Sequence, residues 1–169
     1  MISVPLVIED GSNIEDANSY VTLAEARLYA SARGIALSDF DDTLTQQLVK
    51  AVDYLETYRN RFKGYKTYTP QALQWPRTCV YIDGQPFSEI AIPIELKRAQ
   101  IQLAIEINNG HDLLPTADGS AFIVSERVDV IETKYSEQLS TTGIALFRAV
   151  DSLLSPLLDG DGFLFSERA

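Results

Sequence analysis

The sequence predicts a mainly α-helical fold, which we describe as a four-helix bundle with a long ordered loop, short β-strands and an extended C-terminal tail. Apolar residues recur at helical spacing in four segments that carry start or stop signals. A proline-bearing stretch without a sustained period separates the second segment from the third. The length of 169 residues and the 46% apolar content suit a single domain. We expect that domain to span residues 1–158, with the tail at 159–169.

The first predicted elements are a short strand and a helix. The β-favouring run at 3–9 ends at a turn cluster, residues 10–13. Thr22 and Glu25 have the spacing of a capping box, and Gly34 stands where a C-terminal cap belongs. The first helix is therefore expected near 23–33.

The second helix has the most regular apolar stripe. An acidic or threonine cap at 41–43 precedes it, and Gly64 is expected to stop it. Basic residues in its expected last turn would interact favourably with the negative end of the helix dipole. The stripe predicted to face the core contains Leu44, Leu48, Val52, Leu55, Arg59 and Phe62.

The remaining elements alternate between irregular and helical segments. Residues 65–92 are expected to form an ordered loop with a helical turn near 70–73. Asp83-Gly84 indicates a turn, so the surrounding residues are expected to form either a small hairpin or an extended excursion. Pro93 opens a third, central helix that Gly110 ends. A β-rich arm is expected at about 119–142, and a fourth helix at about 144–158.

Few residues suit catalysis or metal binding. His111 is the only histidine and Cys79 the only cysteine, so neither a catalytic triad nor a zinc cluster can be argued. The chain has no phosphate-binding glycine loop. We therefore expect no enzymatic activity, no catalytic or metal residue and no cofactor. The longest apolar runs are too short to cross a bilayer, so no membrane partner is expected.

One segment, the basic–aromatic window (residues 57–82), contrasts with a chain of net charge -10. It contains five basic and no acidic residues, interleaved with aromatic ones. Cations beside aromatic platforms are typical of single-strand binders. Arginine stems also pack on aromatic rings, so the window can instead be a structural anchor through Trp75 and Phe62. The candidate subunit or DNA contacts are Arg59, Arg61, Lys63, Lys66 and Arg77.

Two segments lack an obvious partner within the chain. The apolar residues Phe163, Leu164 and Phe165 follow two glycines and are too few to fold alone. Exposed apolar clusters usually mark an interaction site. The arm at 119–142 could add strands to a neighbouring molecule. Packing of either segment back onto its own domain is the alternative.

Six phrases in order resemble one family of tailed-phage proteins, the DnaT-like single-stranded DNA-binding proteins. The resemblance runs from about Glu9 to Leu158, and its most specific parts are the third phrase and the start of the fourth. The phrases are EDGSNIEDANSYVTLAEA, AVDYLETYRNRFKG, QALQWPR, IPIELKRAQIQLAIE, VSERVDVIETKYSE and AVDSLLSPLL.

The same chain is similar to small helical head–tail connectors of tailed phages. That resemblance implies a structural adaptor in the virion neck, made in the host cytoplasm. It would form a ring, usually dodecameric, under the portal protein, bridge to a tail or stopper protein, and let genomic DNA pass. An acidic channel would repel the DNA backbone. The residues then expected to dock on the portal are Phe163, Leu164, Phe165 and Arg168.

The sequence leaves one functional alternative open. A single-stranded DNA-binding replication accessory protein would use the basic–aromatic window and would bind less tightly as salt rises. The connector is the main prediction, because a net charge of -10 disfavours general DNA binding.

Overall fold

The computed structural model describes residues 4–114 and 147–160. Within these ranges the chain forms four α-helices, two antiparallel β-ribbons of two strands each and one 3-10 turn. The mainly helical prediction is therefore supported in outline. The elements are α1 (Leu23–Ser31), α2 (Asp41–Glu56), β1 (Tyr65–Lys66), β2 (Arg77–Thr78), β3 (Tyr81–Ile82), β4 (Gln85–Pro86), α3 (Ile94–Asn108), α4 (Arg148–Leu154) and the 3-10 turn Ser155–Leu157.

Helix α1 begins with the predicted capping box. The backbone N–H of Glu25 donates to Thr22 Oγ1 over 3.1 Å, and the Thr22 N–H donates to Glu25 Oε2 over 2.7 Å. Both groups would otherwise lack a partner at the start of the helix. The predicted N-terminal strand is reduced to one bridge between Ile8 and Ser19.

Helix α2 ends earlier than its apolar stripe suggests. After Glu56 the backbone continues in tight i to i+3 turns, including the bond from Arg59 N to the Glu56 carbonyl oxygen. The 3.6-residue phase is lost there, so Arg59 is exposed while Phe62 is buried. The prediction that Arg59 faces the core is therefore wrong.

Helix α3 occupies the centre of the described fold, since it contacts α1, α2 and α4. Its side chains Leu96, Ala99 and Leu103 are fully buried. A buried glutamine, Gln100, joins the layers: its Nε2 donates to Ser19 Oγ over 2.8 Å and to the Leu48 carbonyl over 3.1 Å. Because α1 and α4 are only nine and seven residues long, a four-helix bundle is not confirmed.

The C-terminal helix is shorter than predicted. Of the predicted span 144–158, the structure shows α4 followed by a 3-10 turn that contains Pro156. Leu158 then forms an isolated antiparallel bridge with Phe62, which brings the segment after α4 beside the basic–aromatic window. The predicted arm at 119–142 and the tail beyond Gly160, including Phe163, Leu164, Phe165 and Arg168, lie outside the described residues.

None of the helices in residues 4–114 and 147–160 combines the length and the apolar character that a bilayer crossing demands.

Candidate nucleic-acid interface

Trp75 holds the long loop onto the helices. Its side chain is fully buried, with ring centroids 5.9 Å from Phe62 and 6.0 Å from Phe87 in edge-on geometry. Its backbone N–H donates to the hydroxyl of Tyr20 over 3.2 Å. Edge-to-face aromatic pairs stabilise beyond the area they bury, so this cluster gives the loop a fixed position.

Arg77 lies inside the loop rather than on its surface. Its Nε donates to the Lys63 carbonyl over 2.7 Å, and its Nη2 donates to the carbonyls of Gly64 and Phe62 over 2.7 and 3.4 Å. Its Nη1 reaches the carbonyl and side-chain oxygens of Gln74. Burial lowers the pKa of Arg77. Its prediction as a subunit or DNA contact is therefore corrected to that of an internal tie.

Strands β1 and β2 form a ribbon with two distinct faces. Tyr65 lies opposite Thr78, and Lys66 opposite Arg77. Directly opposite residues share a face of a two-stranded ribbon. Arg77 is buried and Tyr65 is 73% exposed, so the Tyr65–Thr78 pair lies on the outer face.

The two lysines of the window are half-buried and bonded to backbone carbonyls. Lys63 Nζ donates to Pro156 over 2.8 Å and to Tyr81 over 3.3 Å. Lys66 Nζ donates to Gln71 over 2.6 Å. These hydrogen bonds restrain both ammonium groups next to the loop backbone.

Arg59 and Arg61 are the exposed cations of the window. The Arg61 guanidinium carbon lies 5.3 Å from the centroid of the Tyr58 ring. The Tyr58 hydroxyl donates to Asp151 over 2.8 Å, which fixes that ring. Within residues 4–114 and 147–160, neither guanidinium donates a hydrogen bond, so both can reach a ligand without breaking one.

Three tyrosines of the basic–aromatic window are exposed, and we call this set the tyrosine surface: Tyr65 at 73%, Tyr68 at 46% and Tyr81 at 59% exposure. The sequence places all three in the basic–aromatic window but did not predict which aromatic residues of the window are exposed; Trp75, in the same window, is buried and cannot contact a ligand. For Tyr81 a signal was present, because the Asp83-Gly84 turn sets the β3–β4 hairpin in which Tyr81 pairs with Pro86 while Ile82 packs against the core.

Acidic groups also border the tyrosine surface. The Thr78 hydroxyl donates to the carboxylate of Glu89, and the Thr67 hydroxyl donates to the Glu89 backbone carbonyl. Glu89 thus crosses the outer face of the β1–β2 ribbon. Glu56, the last residue of α2, accepts hydrogen bonds from the backbone and side-chain N–H groups of Gln74, and burial raises its pKa.

Outside the basic–aromatic window, the described residues include one open cavity and one His–Glu pair. An open cavity of about 430 Å³ is lined by Lys50, Asp53 and His111 among others. His111 Nδ1 lies 2.8 Å from Glu106 Oε2, an exposed pair at the end of α3. In the part of the chain that the structure describes, no group of three or more His, Cys, Asp or Glu side chains is placed to hold a metal ion.

Residues 4–169 match the family model described as "Putative DnaT-like ssDNA binding protein". The chain belongs to this family. No curated protein and no solved structure shows a significant match to it. The family resemblance noted in the sequence is thereby confirmed.

The family match overturns the head–tail connector interpretation, because the family is described by single-stranded DNA binding and not by a structural role in a phage neck. The prediction of a connector was therefore wrong, and a ring oligomer, a portal partner and a tail partner have no support. Its physical argument relied on net charge, which sums over the whole chain. A ligand instead meets the local surface, where Arg59 and Arg61 are exposed.

Proposed function

We propose that the protein is a single-stranded DNA-binding accessory protein without enzymatic activity, and that it binds DNA at the tyrosine surface. One observation carries this proposal: three tyrosines are exposed in the one stretch of an acidic chain that is rich in basic and free of acidic residues. The family match points to the same ligand.

The chemistry of the surface suits a single strand better than a duplex. Every base offers a π-face, and aromatic rings stack on it without regard to sequence. In a duplex those faces are covered by neighbouring base pairs, and only the edges and the phosphates remain accessible. Tyrosines without a dense array of cations therefore favour unpaired DNA.

The acidic remainder of the chain is compatible with this function. Negative charge elsewhere repels the phosphate backbone, so it would confine DNA to the window. The same charge would keep nonspecific affinity low, because that affinity depends on phosphate neutralisation by lysine and arginine.

Fluorescence anisotropy with a labelled oligothymidylate of ~30 nucleotides, at low salt, tests the proposal. We expect saturable binding that is tighter than binding to a duplex of the same length. The combined change Tyr65→Ala, Tyr68→Ala and Tyr81→Ala should abolish it, since each stacked base contributes roughly 1–3 kcal/mol.

The matched control is Phe40→Ala. Phe40 is 77% exposed and lies outside the window, so its loss should leave DNA affinity unchanged. Absence of binding at low salt, or equal affinity of the triple variant and the unchanged protein, would refute the proposal.

A further inference from the structure

We infer that the protein holds single-stranded DNA chiefly by its bases and that, of the five cations in the basic–aromatic window, only Arg59 and Arg61 neutralise phosphates. This inference rests on the proposed function and deepens it, because it specifies which part of the DNA is recognised. Three observations support it: the hydrogen bonds that the cations of the window already make, the acidic residues near the surface, and the fixed backbone of the tyrosines.

Three of the five cations in the window already donate hydrogen bonds to the loop. The guanidinium of Arg77 is used by the backbone carbonyls at 62–64 and by Gln74. Lys63 and Lys66 are restrained by the carbonyls of Pro156, Tyr81 and Gln71. The main role of these three side chains is therefore to stabilise the loop. Moving either lysine onto a phosphate would cost hydrogen bonds that the free protein already has.

Acidic residues also lie near the tyrosine surface. Glu89 crosses the face that bears Tyr65. The backbone N–H of Asp159 donates to the Arg61 carbonyl over 2.7 Å, which brings a further acidic residue next to Arg61. Because Glu89 lies on the face of Tyr65 and Asp159 lies beside Arg61, the surface lacks the dense positive field that a phosphate-tracking groove requires.

Hydrogen bonds also fix the backbone at Tyr65 and Tyr68. The Tyr68 N–H donates to Gln71 Oε1 over 2.9 Å, and the Gln71 amide is itself buried and donates to the carbonyls of Leu73 and Pro76, each over 3.0 Å. Tyr65 is held by its ribbon partner Thr78. Rings that project from a fixed backbone lose little freedom on binding, which favours stacking.

Salt dependence separates base recognition from phosphate recognition. Each neutralised phosphate contributes about -0.7 to the slope of log K against log salt concentration for a single strand. Two contacts predict a slope of about -1.4 for oligothymidylate. Arg59→Ala with Arg61→Ala should bring the slope close to zero. The matched control is Arg98→Ala, an exposed arginine on α3, which should leave the slope unchanged.

The tyrosine variants give the complementary result. Tyr65→Ala, Tyr68→Ala or Tyr81→Ala should each weaken binding by about 5- to 150-fold at every salt concentration, with the slope unchanged. Tyr→Phe at the same position should restore most of the affinity, because the ring still stacks.

The outcomes distinguish the two proposals. A slope of about -3 or steeper, with Tyr→Ala changes that still weaken binding, would overturn the inference that Arg59 and Arg61 alone of the window neutralise phosphates and would leave DNA binding at the tyrosine surface intact. No binding of oligothymidylate at low salt would overturn both.

Discussion

Arg77 Nη2 donates to the carbonyl oxygen of Gly64 over 2.7 Å, and this contact lies directly before the exposed Tyr65. The arginine that composition marks as a DNA contact instead fixes the backbone from which a candidate stacking ring projects. A cation of the window therefore stabilises the fold, and exposed rings such as Tyr65 remain accessible to a ligand.

Replacing Arg77 should destabilise the protein. Arg77→Met removes the donors for the carbonyls of Phe62, Lys63 and Gly64 and leaves acceptors in a largely buried position. We expect a loss of roughly 2–4 kcal/mol in the free energy of unfolding. Urea denaturation followed by circular dichroism measures it. Arg98→Met, at an exposed position, should cost less than about 0.5 kcal/mol, and equal losses would contradict the role of Arg77.

Gly64 should tolerate no side chain. Its φ is +66°, and a Cβ atom there would lie 2.1 Å from the Thr78 carbonyl oxygen. Gly34 has a similar φ of +69° with open space around it, so it is the matched control. Gly34→Ala should cost about 1–2 kcal/mol from backbone strain alone. Gly64→Ala should cost clearly more in the same thermal and urea denaturation series, because β1 and β2 must separate; similar losses would refute the close approach.

Trp75, the single tryptophan, should contribute strongly to stability, and its fluorescence should show that its ring is buried. Trp75→Ala removes a fully buried ring between Phe62 and Phe87, and we expect a loss of roughly 3–5 kcal/mol in the free energy of unfolding. Tyr65→Ala, on the surface, should change it by less than about 0.5 kcal/mol. Trp75 emission should be blue-shifted in the native protein and move to the red on unfolding. Red-shifted native emission would mean that the ring is exposed.

The contribution of Glu56 to the free energy of unfolding should decrease as the pH rises. Burial raises its pKa above the ordinary value of 4.5, so the folded protein binds this proton more tightly than the unfolded chain does. Its contribution is fully present below the unfolded pKa and is lost as the pH rises through the folded pKa. Glu56→Gln removes the titration. The stability of the unchanged protein relative to this variant should fall as the pH rises from about 4, as measured by urea denaturation at each pH. A relative stability that rises with pH would contradict the sign.

Much of the fold could be predicted because its signals are local. The capping box at Thr22 and Glu25 and the turn at Asp83-Gly84 depend on neighbours a few residues apart, and both form. The end of α2 could not be predicted in the same way. Its apolar stripe continues to Phe62, but the bridge from Phe62 to Leu158 depends on a segment almost a hundred residues further along the chain.

The sequence by itself determined the helical segments, the acidic balance and the basic–aromatic composition of residues 57–82, since periodicity and composition need no partner. Only the tertiary structure decided which members of that window face solvent. Arg77 and Trp75 are buried because carbonyls and rings from distant segments surround them, whereas Arg59, Arg61 and Tyr65 remain exposed. Composition counts charges and rings, but only packing determines which of them a ligand can reach.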